Sequence, residues 1–182
     1  MDLVIDLAVT AVCVFVVLQY GRALKTHFVS PKMPTGTVVI SIVVSLTTLI
    51  FLGLLWLESQ PMLAQTVGIA ICLASLWLFY SAIRASREAR LKMAFDVENP
   101  HGLVTTGPYR YLRHPFYTSY LIFWVGFAVA TWSAFTLVPL AIILVIYVRA
   151  ALGEEAKFAR TPMAEEYAAY RQRTGFFWPK FS

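Results

Sequence analysis

Lys and Arg are spread unevenly along this chain, and the gaps between them decide what it can fold into. Arg22, Lys25 and Lys32 form one polar segment. Arg84, Arg87, Arg90, Lys92, Arg110 and Arg113 form a second, and Arg149, Lys157, Arg160, Arg171, Arg173 and Lys180 a third. Between them run apolar stretches, and a span needs about 20 such residues, with roughly 17–25 tolerated. Leu3–Tyr20, Thr37–Leu57 and Met62–Ile83 each qualify. The stretch from Tyr117 to Leu152 is too long for one helix, and Thr131-Trp132-Ser133 is its natural turn. It divides into two short spans, Pro115–Thr131 and Ala134–Ala150, which need little tilt.

These runs predict an all-α membrane bundle of five transmembrane helices. The connections around Glu58-Ser59-Gln60-Pro61 and Thr131-Trp132-Ser133 carry no Lys or Arg. Basic residues resist translocation, so the three basic segments are expected in the cytoplasm, with the N-terminus outside and the C-terminus inside. At 182 residues the chain is expected to be one membrane domain, with three spans in 1–83 and a polar-flanked pair in 84–182.

A hydrophobic share of 59% against 14% charged residues excludes an ordinary soluble domain. The net charge of +5 is explained by anionic lipid at the membrane surface, so nucleic acid is not expected as a partner. Cys13 and Cys72 sit inside apolar runs without ligand spacing, so neither a disulfide framework nor a metal site is expected. The start, Met1-Asp2-Leu3, lacks a basic leader, and the first run is expected to be kept as a helix.

Smaller features follow from the same patterning. Asp6, near the outer end of the first span, reads as a wet interfacial carboxylate. His27 reads as a surface residue, and Trp56, Trp77, Trp124 and Trp132 suit interfacial or packing positions. Gly126 and Ala130 make a small-residue pair that permits close helix approach. Ser81–Glu98 reads as a polar extension of the third span, followed by turns at Asn99-Pro100-His101-Gly102 and Thr106-Gly107-Pro108-Tyr109. A last helix is predicted with Thr161 as N-cap, Pro162 first, and Met163, Tyr167 and Tyr170 on one face, stopping at Gly175.

Two places could carry chemistry. Arg113-His114-Pro115 ends a basic turn, and a proline disfavours helix in the residue before it, so Pro115 should open the fourth span. A helix start beside Arg113 suits an anionic group, although Arg, His and Tyr also serve as plain interfacial anchors. Glu154-Glu155 at the end of the fifth span opposes the helix dipole, a small cost that function would justify and a solvated helix end would also tolerate.

The order of these pieces resembles the isoprenylcysteine carboxyl methyltransferases and the related phospholipid N-methyltransferases. The matching text is His101-Gly102-Leu103-Val104, Gly107-Pro108-Tyr109, Arg113-His114-Pro115-Phe116-Tyr117, Glu154-Glu155 and Tyr167-Ala168-Ala169-Tyr170, spread over roughly residues 95–180. The resemblance implies an S-adenosylmethionine-dependent membrane enzyme acting on a lipophilic or lipid-modified acceptor at the cytosolic face. By the same resemblance, His101, Leu103, Val104, Tyr109, His114, Pro115, Phe116, Tyr117 and Glu155 would bind the cofactor. Glu155 and Arg113 are the catalytic candidates, and Arg149 is the candidate for the substrate.

This chain departs from the family pattern in places. Ser119 stands where Gly is usual, Phe158 where Leu is usual, and Thr161-Pro162-Met163-Ala164 alters the spacing before Tyr167. The usual substrate Arg would fall at Ala151, and Arg149 lies about 200° around the helix from it. Sterol-reductase-like membrane enzymes, which use NADPH, share the Gly-Pro-Tyr and Arg-His-Pro turns but carry Asn where Phe116 stands. A non-catalytic membrane subunit of the same fold is the third alternative.

Overall fold

The computed structural model describes residues 3–27, 35–87 and 103–181. Its elements are α1 (Leu3–Thr26), α2 (Thr35–Leu57), α3 (Met62–Ser86), α4 (Pro115–Thr131), α5 (Leu137–Phe158) and α6 (Ala164–Arg173). Short 3-10 turns at Gly107–Arg110 and Ala134–Thr136 lead into α4 and α5. Four of the helices are long and apolar enough to cross a membrane, and α4 is a shorter apolar helix. At 17 residues α4 rises about 26 Å, a little under a bilayer core. Residues 88–98 of the expected extension of α3, and the Asn99–Gly102 turn, lie outside the described residues.

Pro61 opens α3 after a tight connection, so α2 and α3 run antiparallel as a hairpin. At the far end of α4, Trp132 adopts φ 49°, ψ 32° and donates its N–H back to Ala128 and Val129. That left-handed residue stops the helix and turns the chain into α5. The turn predicted at Thr131-Trp132-Ser133 is therefore where the chain reverses.

The α3–α4 pair is held at unusually short range. A Cβ on Gly68 would lie 2.5 Å from Ala130 Cβ and 2.6 Å from the Gly126 carbonyl oxygen. One on Gly126 would lie 2.9 Å from Ile71 Cγ2. Without a hydrophobic drive between helices in lipid, such backbone approach is what holds them, as the Gly126 and Ala130 pair led us to expect. Because α4 is apolar all round, it takes the central place, burying Phe123, Trp124 and Phe127 against Phe51 of α2.

Helices α1 and α3 run parallel, and polar pairs tie them along their length. Gln65 donates to Asp6 (2.5 Å), Tyr20 to Ser75 (3.2 Å) and Tyr80 to Gln19 (2.9 Å). His27 Nε2 meets Ser86 Oγ at 3.0 Å. Two expectations change here. Asp6 is not a wet interfacial residue: it is 2% exposed, because Gln65 projects onto it from α3. His27 is not a plain surface residue either, since it is half-buried against Ser86 and the ring of Phe116.

The last helix also starts later than predicted, at Ala164 rather than Pro162. The Thr161 hydroxyl accepts from the Met163 N–H two residues on and donates to the Phe158 carbonyl. It therefore closes a turn instead of capping the helix. Tyr167 and Tyr170 are buried, as the helical spacing predicted.

Candidate active site

The site grows from an X-Pro junction. Pro115 is the first residue of α4 and carries no N–H, while His114 sits in a non-helical conformation just before it. The Thr118 N–H bonds to the His114 carbonyl, so the helix begins immediately beyond. This turns the side chains of Arg113, His114 and Tyr117 toward the end of α5.

There Glu155, 6% exposed, is gripped from several sides. Arg113 Nε donates to Glu155 Oε1 at 2.7 Å, and His114 Nε2 lies 3.2 Å from the same oxygen. Arg171 Nε, from α6, lies 3.3 Å from Oε2. The neighbouring Glu154 accepts from the Tyr117 hydroxyl at 2.6 Å, with His114 Nδ1 3.7 Å from its other oxygen. His114 thus stands between two carboxylates. Buried charge survives only when paired and hydrogen-bonded, and this network meets that condition.

A strap after α6 completes the enclosure. Arg113 N–H bonds to the Gly175 carbonyl at 2.8 Å, and the Gly175 and Lys180 N–H groups both reach the Tyr111 carbonyl. Arg113 Nη1 also donates to the carbonyls of Thr174 and Arg171. Phe176 and Phe177 then lie edge-on to the His114 ring, at 4.9 and 6.0 Å between centroids. A side chain at Gly175 would collide with the Trp178 carbonyl, so only glycine fits that crossing.

The candidate residues divide into two groups. Arg113, His114, Tyr117 and Glu155 meet in the cluster just described, with Pro115 buried beside them. Val104, Tyr109 and Phe116 form a second, mostly apolar group against Phe79 and Ala82 of α3. Tyr170 links the two by donating to the Tyr109 carbonyl at 2.7 Å. Burial holds the phenol of Tyr109 well above the usual tyrosine range. Leu103 is half-buried ahead of the turn, and His101 lies outside the described residues. Arg149 is exposed on the outer side of α5, whereas Ala150 and Ala151 beside it are buried.

Sequence reading missed Arg171, Thr174, Phe176 and Phe177 as parts of this site. In the sequence Arg171 reads only as one of the basic residues of the third segment, and the hint of the strap is a glycine followed by three aromatic residues, Phe176, Phe177 and Trp178. Among the described residues no group of His, Cys, Asp and Glu side chains could hold a metal ion.

The donor set suits a zwitterionic, aromatic cofactor. Glu154 and Glu155 are acceptors for hydroxyl and ammonium groups, Arg113 can face a carboxylate, and the rings of His114, Phe176 and Phe177 offer apolar walls. Glu155 Oε2 is met by Arg171, whose side chain is 55% exposed and so free to yield.

Comparison with known proteins gives three findings. The family model for phospholipid methyltransferases matches residues 63–167. Two rice proteins, from Oryza sativa subsp. indica and subsp. japonica, are each described as a probable protein-S-isoprenylcysteine O-methyltransferase. Both are 29% identical over 93 residues, covering 51% of this chain and 49% of theirs. The chain thus spans about half the length of the curated relatives it matches. A solved structure of a eukaryotic intramembrane Ras methyltransferase, an isoprenylcysteine carboxyl methyltransferase, superposes with a TM-score of 0.57. It shares 19% identity, over 78% of this chain and 50% of that one, so the likeness is one of fold.

Proposed function

Because this chain belongs to the phospholipid methyltransferase family, we propose that it is a five-span membrane enzyme moving a methyl group from S-adenosylmethionine to a lipophilic acceptor. The observation that carries the reading is Glu155, a carboxylate buried and aimed by Arg113 and His114 within the stretch that matches the family. When bound, the cofactor would supply a sulfonium methyl whose carbon an ionised carboxylate or a neutral amine attacks in line, the carbon–sulfur bond breaking as S-adenosylhomocysteine leaves. The protein must hold, orient and exclude water, and positioning of this kind supplies much of the catalysis.

Glu155 accepts hydrogen bonds from the cofactor's ribose or ammonium, and Arg113 positions it. Tyr117 and the rings of His114, Phe176 and Phe177 wall the pocket from lipid. His101, Leu103, Val104, Tyr109, Pro115 and Phe116 line its other side, as the family resemblance implies. For an isoprenylcysteine-like carboxylate no base is needed. A lipid amine must lose a proton, and Glu154, a third exposed and held by Tyr117, is the group available to take it. Arg149 meets an acidic acceptor only from the lipid side, so Arg149→Ala raises the acceptor KM if that residue takes part. The basic segments put the site and the C-terminus in the cytoplasm.

The test is calorimetric titration of the detergent-purified chain with S-adenosylhomocysteine and, separately, NADPH. Micromolar binding of the first, weakened at least about tenfold in Glu155→Gln, is the expected result. Binding of NADPH alone would overturn the reading in favour of a reductase.

A further inference from the structure

Away from the carboxylate cluster, the C-terminal ends of α1 and α3 line a cavity of about 460 Å³. Its lining includes Arg22, Thr26 and His27 of the α1 end, and Phe79, Ile83 and Arg87 of the α3 end. Arg22 and Arg87 are exposed, and among the described residues no carboxylate lines the cavity. The floor is apolar, formed by Phe79 and Ala23, which also back the Tyr109 and Phe116 group.

A helix C-terminus normally repels anions, because its last carbonyls are unpaired. Here the Ala23 carbonyl of α1 is engaged by the His27 N–H, and the Arg22 carbonyl before it accepts from the Thr26 hydroxyl. Ser86 commits its only hydrogen to the Ala82 carbonyl, so its oxygen accepts from His27 Nε2. Burial and the charge of Arg87 both hold His27 below its ordinary histidine value. Among the described residues the guanidiniums of Arg22 and Arg87 are the charges of the cavity, and their planar forks match phosphate oxygens.

Toward the membrane centre, the same faces turn greasy. Phe15, one turn before Gln19 on α1, is 50% exposed, and so is Leu73 on α3. Tyr80, 43% exposed and hydrogen-bonded to Gln19, marks the level where polar lining gives way to apolar. A cationic mouth above an apolar track is complementary to one amphiphile.

We propose that this groove binds an anionic phospholipid, its headgroup phosphate between Arg22 and Arg87 and an acyl chain along Phe15 and Leu73. Through His27, whose ring packs 5.8 Å from Phe116, the lipid would rest against the wall of the second group of candidate residues.

Native mass spectrometry of the full chain, released from detergent with phosphatidylglycerol or phosphatidylcholine of the same acyl chains, tests it. One retained phosphatidylglycerol per protein is expected, with little phosphatidylcholine. Each basic residue near a headgroup is worth about fivefold, so R22Q/R87Q should weaken retention roughly thirtyfold. R110Q/R160Q, which removes the same charge elsewhere, should leave it unchanged. Equal retention of both lipids, or loss in both double variants alike, would overturn the proposal. Displacement of phosphatidylglycerol by millimolar inorganic phosphate would make this a free-anion site and overturn the lipid assignment. Retention is read without turnover, so failure of the methyltransferase reading would leave the result intact.

Discussion

Neutralising Glu155 would leave Arg113, whose side chain is 10% exposed, facing an amide instead of a charge. Two carbonyls, of Thr174 and Arg171, would still hold the guanidinium, so the loss is smaller than for a fully orphaned ion. Glu155→Gln should destabilise the protein by about 1–3 kcal/mol, read as a lower melting temperature in detergent without cofactor. Tyr170 offers a milder probe. Its phenol is pushed up to about 12, chiefly by burial, from an ordinary value of 10.0. A raised value means the folded state holds the proton more tightly, so the stability it confers is complete below pH 10 and drains away between about pH 10 and 12. Tyr170→Phe should lower stability by about 1 kcal/mol at neutral pH and flatten part of that alkaline decline.

Helix ends were legible where the signal is local. Pro115 opens α4 and Thr131 closes it because a ring without an N–H and a short polar interruption act on their own neighbours. Thr161 misled because its hydroxyl had two partners within reach, and the turn won over the cap. The approach of Arg171 to Glu155, or of His27 to Phe116, depends on how helices rotate against each other, which no local pattern encodes. Glycines separate these cases cleanly. Gly53 of α2 has open space where a side chain would go, so Gly53→Ala should be neutral or stabilise by up to about 1 kcal/mol. Gly68→Ala would press its Cβ against α4 and should cost about 1–3 kcal/mol. Thermal unfolding of the two variants side by side checks the contrast.

At the scale of the whole molecule, the five spans proposed above would put the two ends on opposite sides of the membrane. Single cysteines at Ser59 and Ser133 should react with a membrane-impermeant maleimide from outside intact cells. Cysteines at Thr105 and Arg173 should react only after permeabilisation. Cys13 and Cys72, at 1% and 0% exposure, should give little background. The opposite labelling pattern would invert the orientation drawn from the basic segments while leaving the bundle itself untouched.

The strap of Thr174–Phe177 closes over residues made some sixty positions earlier, as the Arg113 to Gly175 bond records. Ribosomes deliver the chain in order, so α1 to α5 emerge for insertion before α6 and the strap do. During that interval Glu155 has Arg113 and His114 but lacks Arg171, and the rings of Phe176 and Phe177 do not yet cover His114. A half-made molecule is therefore a membrane protein without a finished site, and the chemistry proposed for it has to wait for the final stretch to fold back.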